Sequence, residues 1–272
     1  MAVIHDDILV LARNPGENQE FVVLELLSLK TNKTLCYCQL PVSAIQFALR
    51  FQKHPPPSKG ANHFPRFGGL YAPDPQVEIL AIIFYTALTA SPDFFTVVIS
   101  IPLFLSACYS LIQKHTEQNS DIPYFRWEDW GPDVTRWLPL DFHGEYGSRN
   151  ASGSKLLAIY WEGTDADEAV LRNALLDFTP WPIRLGAQSR GEADDDYIFE
   201  VFDEETEWSW EGMKVKSKLP FRAWISSRPC DYLNLFLDGN TIVGRQKGGC
   251  HFFSFLPESA VKNCDSGDLC RP

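Results

Sequence analysis

The sequence predicts a mainly β, antiparallel domain, curled or propeller-like, with one or two short helices. Its apolar runs are short and rich in β-formers, and Gly, Pro, Asn and Asp clusters separate them at close intervals. Strand and helix signatures also do not alternate, as they would in a parallel α/β sheet. No fixed repeat period marks propeller blades, so a sandwich remains compatible.

Taken in order, Ile8–Ala12, Phe21–Leu29 and Thr34–Leu40 read as strands, punctuated by Asn14-Pro15-Gly16 and Thr31-Asn32-Lys33. Pro55-Pro56-Pro57 and Gly60 make His54–Phe67 a loop. Val77–Tyr85 and Phe94–Ile99 form an apolar pair across Ser91-Pro92-Asp93. Ile79–Leu88 is roughly half the ~20 residues needed to span a bilayer, so it reads as a buried strand and no membrane is expected. The spacing of Leu103, Ala107 and Leu111 predicts a helix over Pro102–Lys114. Gly147–Gly153 reads as a flexible small-residue loop, and Lys155–Trp161 as a further strand. Thr164-Asp165-Ala166-Asp167 resembles a capping box, and Val170, Leu171, Ala174 and Leu175 predict a helix running on towards Leu176. Tyr197–Phe202 and Lys218–Ser226 read as strands. Tyr232–Gln246 is the clearest hairpin, with Asp238-Gly239 at its turn, and His251–Leu256 closes the series. One domain is expected over residues 1–257, with a polar, flexible tail over 258–272.

At 272 residues, with 45% hydrophobic and 13% aromatic content, the chain can bury a substantial core. A net charge of −11 with no basic stripe argues against nucleic acid, whose phosphates need a basic face. The acidic runs Glu192–Asp196 and Asp203–Glu211 read as solvated surface. Seven scattered cysteines form no disulfide framework, and two Asp residues stand where a signal peptide would carry positive charge. A cytoplasmic or nuclear location follows, in which the Asn32 and Asn150 glycosylation triplets have no meaning.

No phosphate loop, dinucleotide fingerprint, nucleophile elbow or HExxH motif is present. Cys36-Tyr37-Cys38 places two thiols on one strand face, where a metal could use them. No second Cys/His pair accompanies them, and structural zinc takes four ligands, so they read as buried free thiols. Cys250 and His251 are neighbours on a strand and face opposite ways. The carboxylates of Asp194–Asp196 and Glu204–Glu205 lie in solvated runs with nothing to raise a pKa. The expectation is a non-enzymatic chain with no catalytic residue, cofactor or metal.

The segment Ile122–Leu138, IPYFRWEDWGPDVTRWL, carries Trp127, Trp130 and Trp137 around Gly131-Pro132. The Gly-Pro step predicts an extended turn, and Arg136 is close enough to stack on an indole. Two readings follow: an aromatic clamp for a ligand or peptide, or a Trp/Arg clasp pinning a long connection to the sheet. The clasp is the reading taken, because each aromatic buries ~150–250 Å².

This segment resembles the "I-P-W-x-x-W-G-P-x-x-T-R-W" signature of mushroom-type fungal F-box proteins, with Trp127, Trp130, Gly131, Pro132, Thr135 and Arg136 at matching positions. LLDFTPWPIRL (Leu175–Leu185), KLPFRAWISSR (Lys218–Arg228), the hairpin LFLDGNTIVGRQ and the opening HDDILVLAR with FVVLELLSLKTNK resemble further family segments in the same order. The family's His-Gly-x-Arg is altered here: Glu145 follows His143-Gly144, and Arg149 arrives late. Asn240 and Thr241 replace the hairpin's Glu/Arg pair. The resemblance places the F-box upstream of these segments, and only Leu40–Leu49 faintly echoes an F-box helix. It implies the substrate-receptor region of an SCF-type ubiquitin ligase, with an unknown protein partner and no docking of the Skp adaptor. The alternative is a small-molecule or carbohydrate binder, or a hydrolase, using exposed tryptophans. A degenerate duplicate is a third reading.

Overall fold

The computed structural model describes residues 1–5, 7–13, 21–43, 47–52, 77–86, 94–116, 121–138, 142–143, 151–162, 170–179, 197–210, 213–230, 234–238, 241–246 and 249–254. They form a mainly β, antiparallel structure with two helices. β1 (Ala2–His5), β2 (Ile8–Arg13), β3 (Phe21–Ser28) and β4 (Lys33–Ser43) make an antiparallel meander. β5 (Phe47–Gln52), β6 (Ile79–Thr86) and β7 (Phe94–Ser100) begin a second sheet, and α1 (Ile101–Thr116) follows β7 directly. β8 (Tyr124–Phe125) adds in parallel to β4. α2 (Trp127–Val134) then leads into β9 (Thr135–Trp137), which completes the second sheet beside β7.

The short β10 (Phe142–His143) and β11 (Ala151–Ser152) both pair with β12 (Lys155–Glu162), which pairs in turn with β13 (Val170–Asp177). β14 (Tyr197–Phe202), the hairpin of β15 (Thr206–Trp210) and β16 (Met213–Ser217), and β17 (Phe221–Pro229) follow. The third sheet runs β10-β12-β13-β17-β14. β18 (Asn234–Asp238), β19 (Thr241–Gln246) and β20 (Gly249–Ser254) form a last meander. Among the described residues no strand pairing closes these sheets into a barrel. No helix among the described residues is long and apolar enough to cross a membrane.

Packing orders the sheets as layers. Leu24, Leu26, Cys36, Cys38 and Leu40 of the first sheet share one core with Leu80, Ile82, Phe84, Phe95, Val97 and Ile99 of the second. The opposite face of that second sheet, through Ile79, Ala81 and Val98, packs on Leu156, Ala158, Ala174, Leu176, Ala223 and Ile225 of the third. Leu157 and Leu175, on the far face of the third sheet, meet Leu237 and Ile242 of the last. A sheet covered on both sides needs apolar residues at every position, which is why ILAIIFYT and FFTVVIS read as continuous apolar runs. The alanines Ala81, Ala158, Ala174 and Ala223 keep the second and third sheets close.

Several expectations are corrected. Val170–Asp177 is a strand, not a helix: it hydrogen-bonds to β12 on one side and β17 on the other, and its last residues bury both faces. An apolar i, i+4 pattern cannot be told from a doubly buried strand by spacing alone; residues 163–169 lie outside the described residues. Of the faint F-box echo at Leu40–Leu49, residues 40–43 lie on β4 and 47–49 on β5, so its described part is strand rather than helix; residues 44–46 lie outside the described residues. The α1 helix forms as predicted, but its buried stripe is Ile101, Phe104 and Cys108; Leu103 is 47% exposed.

In the last hairpin Asp238, expected at the turn, pairs with Thr241 as a strand residue; residues 239 and 240 lie outside the described residues. Part of the Asp203–Glu211 run, expected as solvated surface, is β15, whose Trp208 is buried opposite Val215 while Glu207 faces outwards. Ala151 and Ser152 form β11 rather than loop. The expected loop at His54–Phe67, the acidic run Glu192–Asp196 and the tail at 258–272 lie outside the described residues.

Candidate functional site

The tryptophan segment folds into the junction between layers. Asp129 starts α2 by accepting a hydrogen bond from the Arg126 backbone N–H (3.0 Å), half of a capping box, and Glu128 and Asp129 place negative charge at the helix N-terminus. The predicted extended turn at Gly131-Pro132 is corrected: both residues lie inside the helix. In so short a helix Pro132 forfeits one backbone bond, to the Glu128 carbonyl, and burial of Trp127, Trp130 and Val134 outweighs that loss.

Each motif residue then has an internal task. Trp127 lies across Gly131, where an added Cβ would come within 2.4 Å of the indole carbons. Trp130 donates its indole N–H to the Gln39 carbonyl of β4 (3.2 Å) and packs on Phe104 of α1 (centroids 4.9 Å apart). The Pro132 carbonyl accepts from the Lys218 backbone N–H (2.9 Å), and the Thr135 hydroxyl donates to the Gly131 carbonyl (2.8 Å), so side chain and main chain together close the helix end. Trp137 stacks on Phe84 and Phe95 and meets Trp208 of β15 at 4.9 Å.

Arg136 points the other way from Trp137, as β alternation requires. Fully buried, it donates to the carbonyls of Leu219 (2.6 Å), Glu204 (3.1 Å) and Phe202 (3.4 Å) and to the Thr206 hydroxyl (2.9 Å). Its guanidinium lies over Phe221 at 5.6 Å, so the expected indole stack is corrected to a phenyl one. Burial lowers its pKa and the Asp203 charge opposes that. The Ser217 hydroxyl accepts from the Trp137 N–H, and the Leu219 N–H donates to the Thr135 carbonyl. The β15–β16 hairpin and the segment after it thereby cover the free edge of β9.

Trp127, Trp130 and Trp137 are 5%, 2% and 1% exposed, so none presents an indole face to a ligand. The arrangement is mechanical: β9 sends Trp137 into the core of the first two sheets and Arg136 to the third sheet's side. The motif joins the two cores.

A second cluster was not legible in the sequence. Cys36 and Cys38 do share a strand face, and α1 brings Cys108 onto them, correcting the expectation that the pair stands alone. The Cys36 and Cys38 sulfurs are 3.9 Å apart, those of Cys38 and Cys108 are 3.6 Å apart, and all three lie within 4.8 Å of one another. All are buried free thiols. Hydrogen bonds from Cys108 and Cys38 hold the Cys36 thiol down to about 5 against its burial. Burial pushes the Cys38 thiol up, and donation to Cys36 pushes Cys108 up. The one available signal was the i, i+7 spacing from Ile101 to Cys108 along a helix face; which strand that face meets is a matter of tertiary packing. Cys250 and His251 sit next to each other on β20, as expected, and their side chains lie outside the described residues. Compared with family models, curated proteins and solved structures, the chain matches none.

Proposed function

We propose that this chain is a non-enzymatic protein-interaction module, built like the substrate-recognition part of an SCF-type F-box protein and acting in the cytoplasm or nucleus. The supporting observation is the use made of the W-x-x-W-G-P-x-x-T-R-W block. All seven of Trp127, Trp130, Gly131, Pro132, Thr135, Arg136 and Trp137 are engaged in holding sheets together. Residues spent on architecture mark a scaffold, and binding specificity then belongs to the loops and outer strands that the scaffold positions. Sheets stacked in chain order support a propeller-like arrangement for that scaffold. Skp docking is not part of the proposal, since the described part of the F-box-like segment Leu40–Leu49 lies on strands.

Quantitative cross-linking mass spectrometry of the full chain in a fungal lysate tests this. The expected result is a small, reproducible set of proteins cross-linked to surface positions and lost with heat-denatured bait. A lysate without such partners, or saturable turnover of glycosides or esters by the purified chain, overturns the reading. Partners without Skp–cullin components remove the ligase role and leave the interaction role.

A further inference from the structure

We propose that Cys36, Cys38 and Cys108 form a three-sulfur site for a single thiophilic closed-shell cation of the Cu(I) type, clamping α1 to β4. Two residues along a strand separate Cα atoms by about 6.6 Å. Yet the Cys36 and Cys38 sulfurs are 3.9 Å apart, so both side chains lean towards a common point. Cys108 arrives at that point from a different element, 3.6 Å from Cys38. Three sulfurs each about 2.3 Å from one ion lie about 3.8–4.0 Å from each other, in tetrahedral or trigonal-planar geometry. The observed separations already approach the edges of such a site.

The donor set selects the ion. Thiolates are soft ligands and favour Cu(I), Zn(II) and iron–sulfur clusters. Among the described residues no histidine or carboxylate joins the three sulfurs, and all three are buried. Structural Zn(II) takes four ligands, whereas Cu(I) is satisfied by three in a plane. Binding exchanges thiol protons for the ion without electron transfer. Because the sulfurs are buried, the ion enters as the chain folds, and bridging residues 38 and 108 ties the first meander to the helix that follows the second sheet. The proposal is independent of the ligase reading.

The test uses the full chain with Cys230, Cys250, Cys264 and Cys270 replaced by Ser, refolded without oxygen in the presence of a weak Cu(I) complex or of Zn(II), then dialysed against a chelator. The expected result is one copper per chain, a sulfur-to-copper charge-transfer band and, by X-ray absorption, three sulfurs at about 2.3 Å. Adding Cys108→Ala is expected to cut copper retention at least tenfold. X-ray absorption on the otherwise unmutated chain keeps the test decisive if that variant fails to fold. Absence of retained copper, equal retention after Cys108→Ala, or retention of Zn(II) alone with nitrogen or oxygen ligands overturns the assignment and leaves the thiols as core packing.

Discussion

Gly131 is enclosed by an indole that cannot retreat. Trp127 lies against Trp130 (5.1 Å) and Trp137 (6.0 Å), so a methyl group at 131 must displace a buried ring. Helix propensity alone favours Ala over Gly by about 1 kcal/mol, but overpacking costs about 1–3 kcal/mol. Gly131→Ala is therefore expected to destabilise the fold by up to about 2 kcal/mol in chemical denaturation; a rise in the midpoint would contradict the packing. Arg136 is the complementary case. Its planar fork reaches four acceptors at once, and a lysine ammonium cannot. Each buried carbonyl left unpaired costs about 1–3 kcal/mol. Arg136→Lys should thus lose about 3 kcal/mol or more despite keeping the charge, read from the same denaturation curves.

At the scale of elements, β13 separates local propensity from context. Its sequence carries a helical match at Val170, Leu171, Ala174 and Leu175, yet ladders on both sides hold it extended. Ala174 sits at zero exposure on the face towards the second sheet. Ala174→Leu would suit a helix, but here it should cost about 1–3 kcal/mol by forcing two sheets apart. Leu171→Ala, on the same strand at an exposed position, should stay within about 0.5 kcal/mol. Equal effects of the two substitutions in thermal melts would mean that the strand is not central. In the β15–β16 hairpin, Glu207 and Glu205 pair with Lys214 and Lys216 on the outside while Trp208 and Val215 are buried. These exposed pairs add little stability and serve solubility on a hairpin that must also cover an edge.

For the whole molecule, the thiol cluster links stability to pH. Cys38 and Cys108 titrate above their ordinary value of 9.0 when folded. Above that value the unfolded chain has lost protons that the folded chain retains, so stability falls as pH rises. The limiting slope is about 1.4 kcal/mol per pH unit for each such thiol. The metal-free protein should lose stability above about pH 9, and Cys108→Ala should show a shallower loss in urea titrations at pH 8, 9 and 10. Identical slopes would show that the two thiols do not titrate as a buried cluster. The layered cores make this a global effect, because the cluster belongs to the same core as Trp127, Trp130 and Trp137.

The amino-acid sequence by itself determined the mainly β class and most strand positions, because short apolar runs between turn residues have few other solutions. It also singled out the tryptophan segment, whose composition is costly unless buried. Only the tertiary structure decided whether Val170–Asp177 is strand or helix, since a run buried on both faces satisfies either period. Tertiary contacts likewise turned Arg136 from an indole to Phe221, folded Gly131-Pro132 into a helix and brought Cys108 to Cys36 and Cys38. Each of those outcomes depends on residues tens of positions away, and local pattern carries no information about which distant surface a side chain will meet.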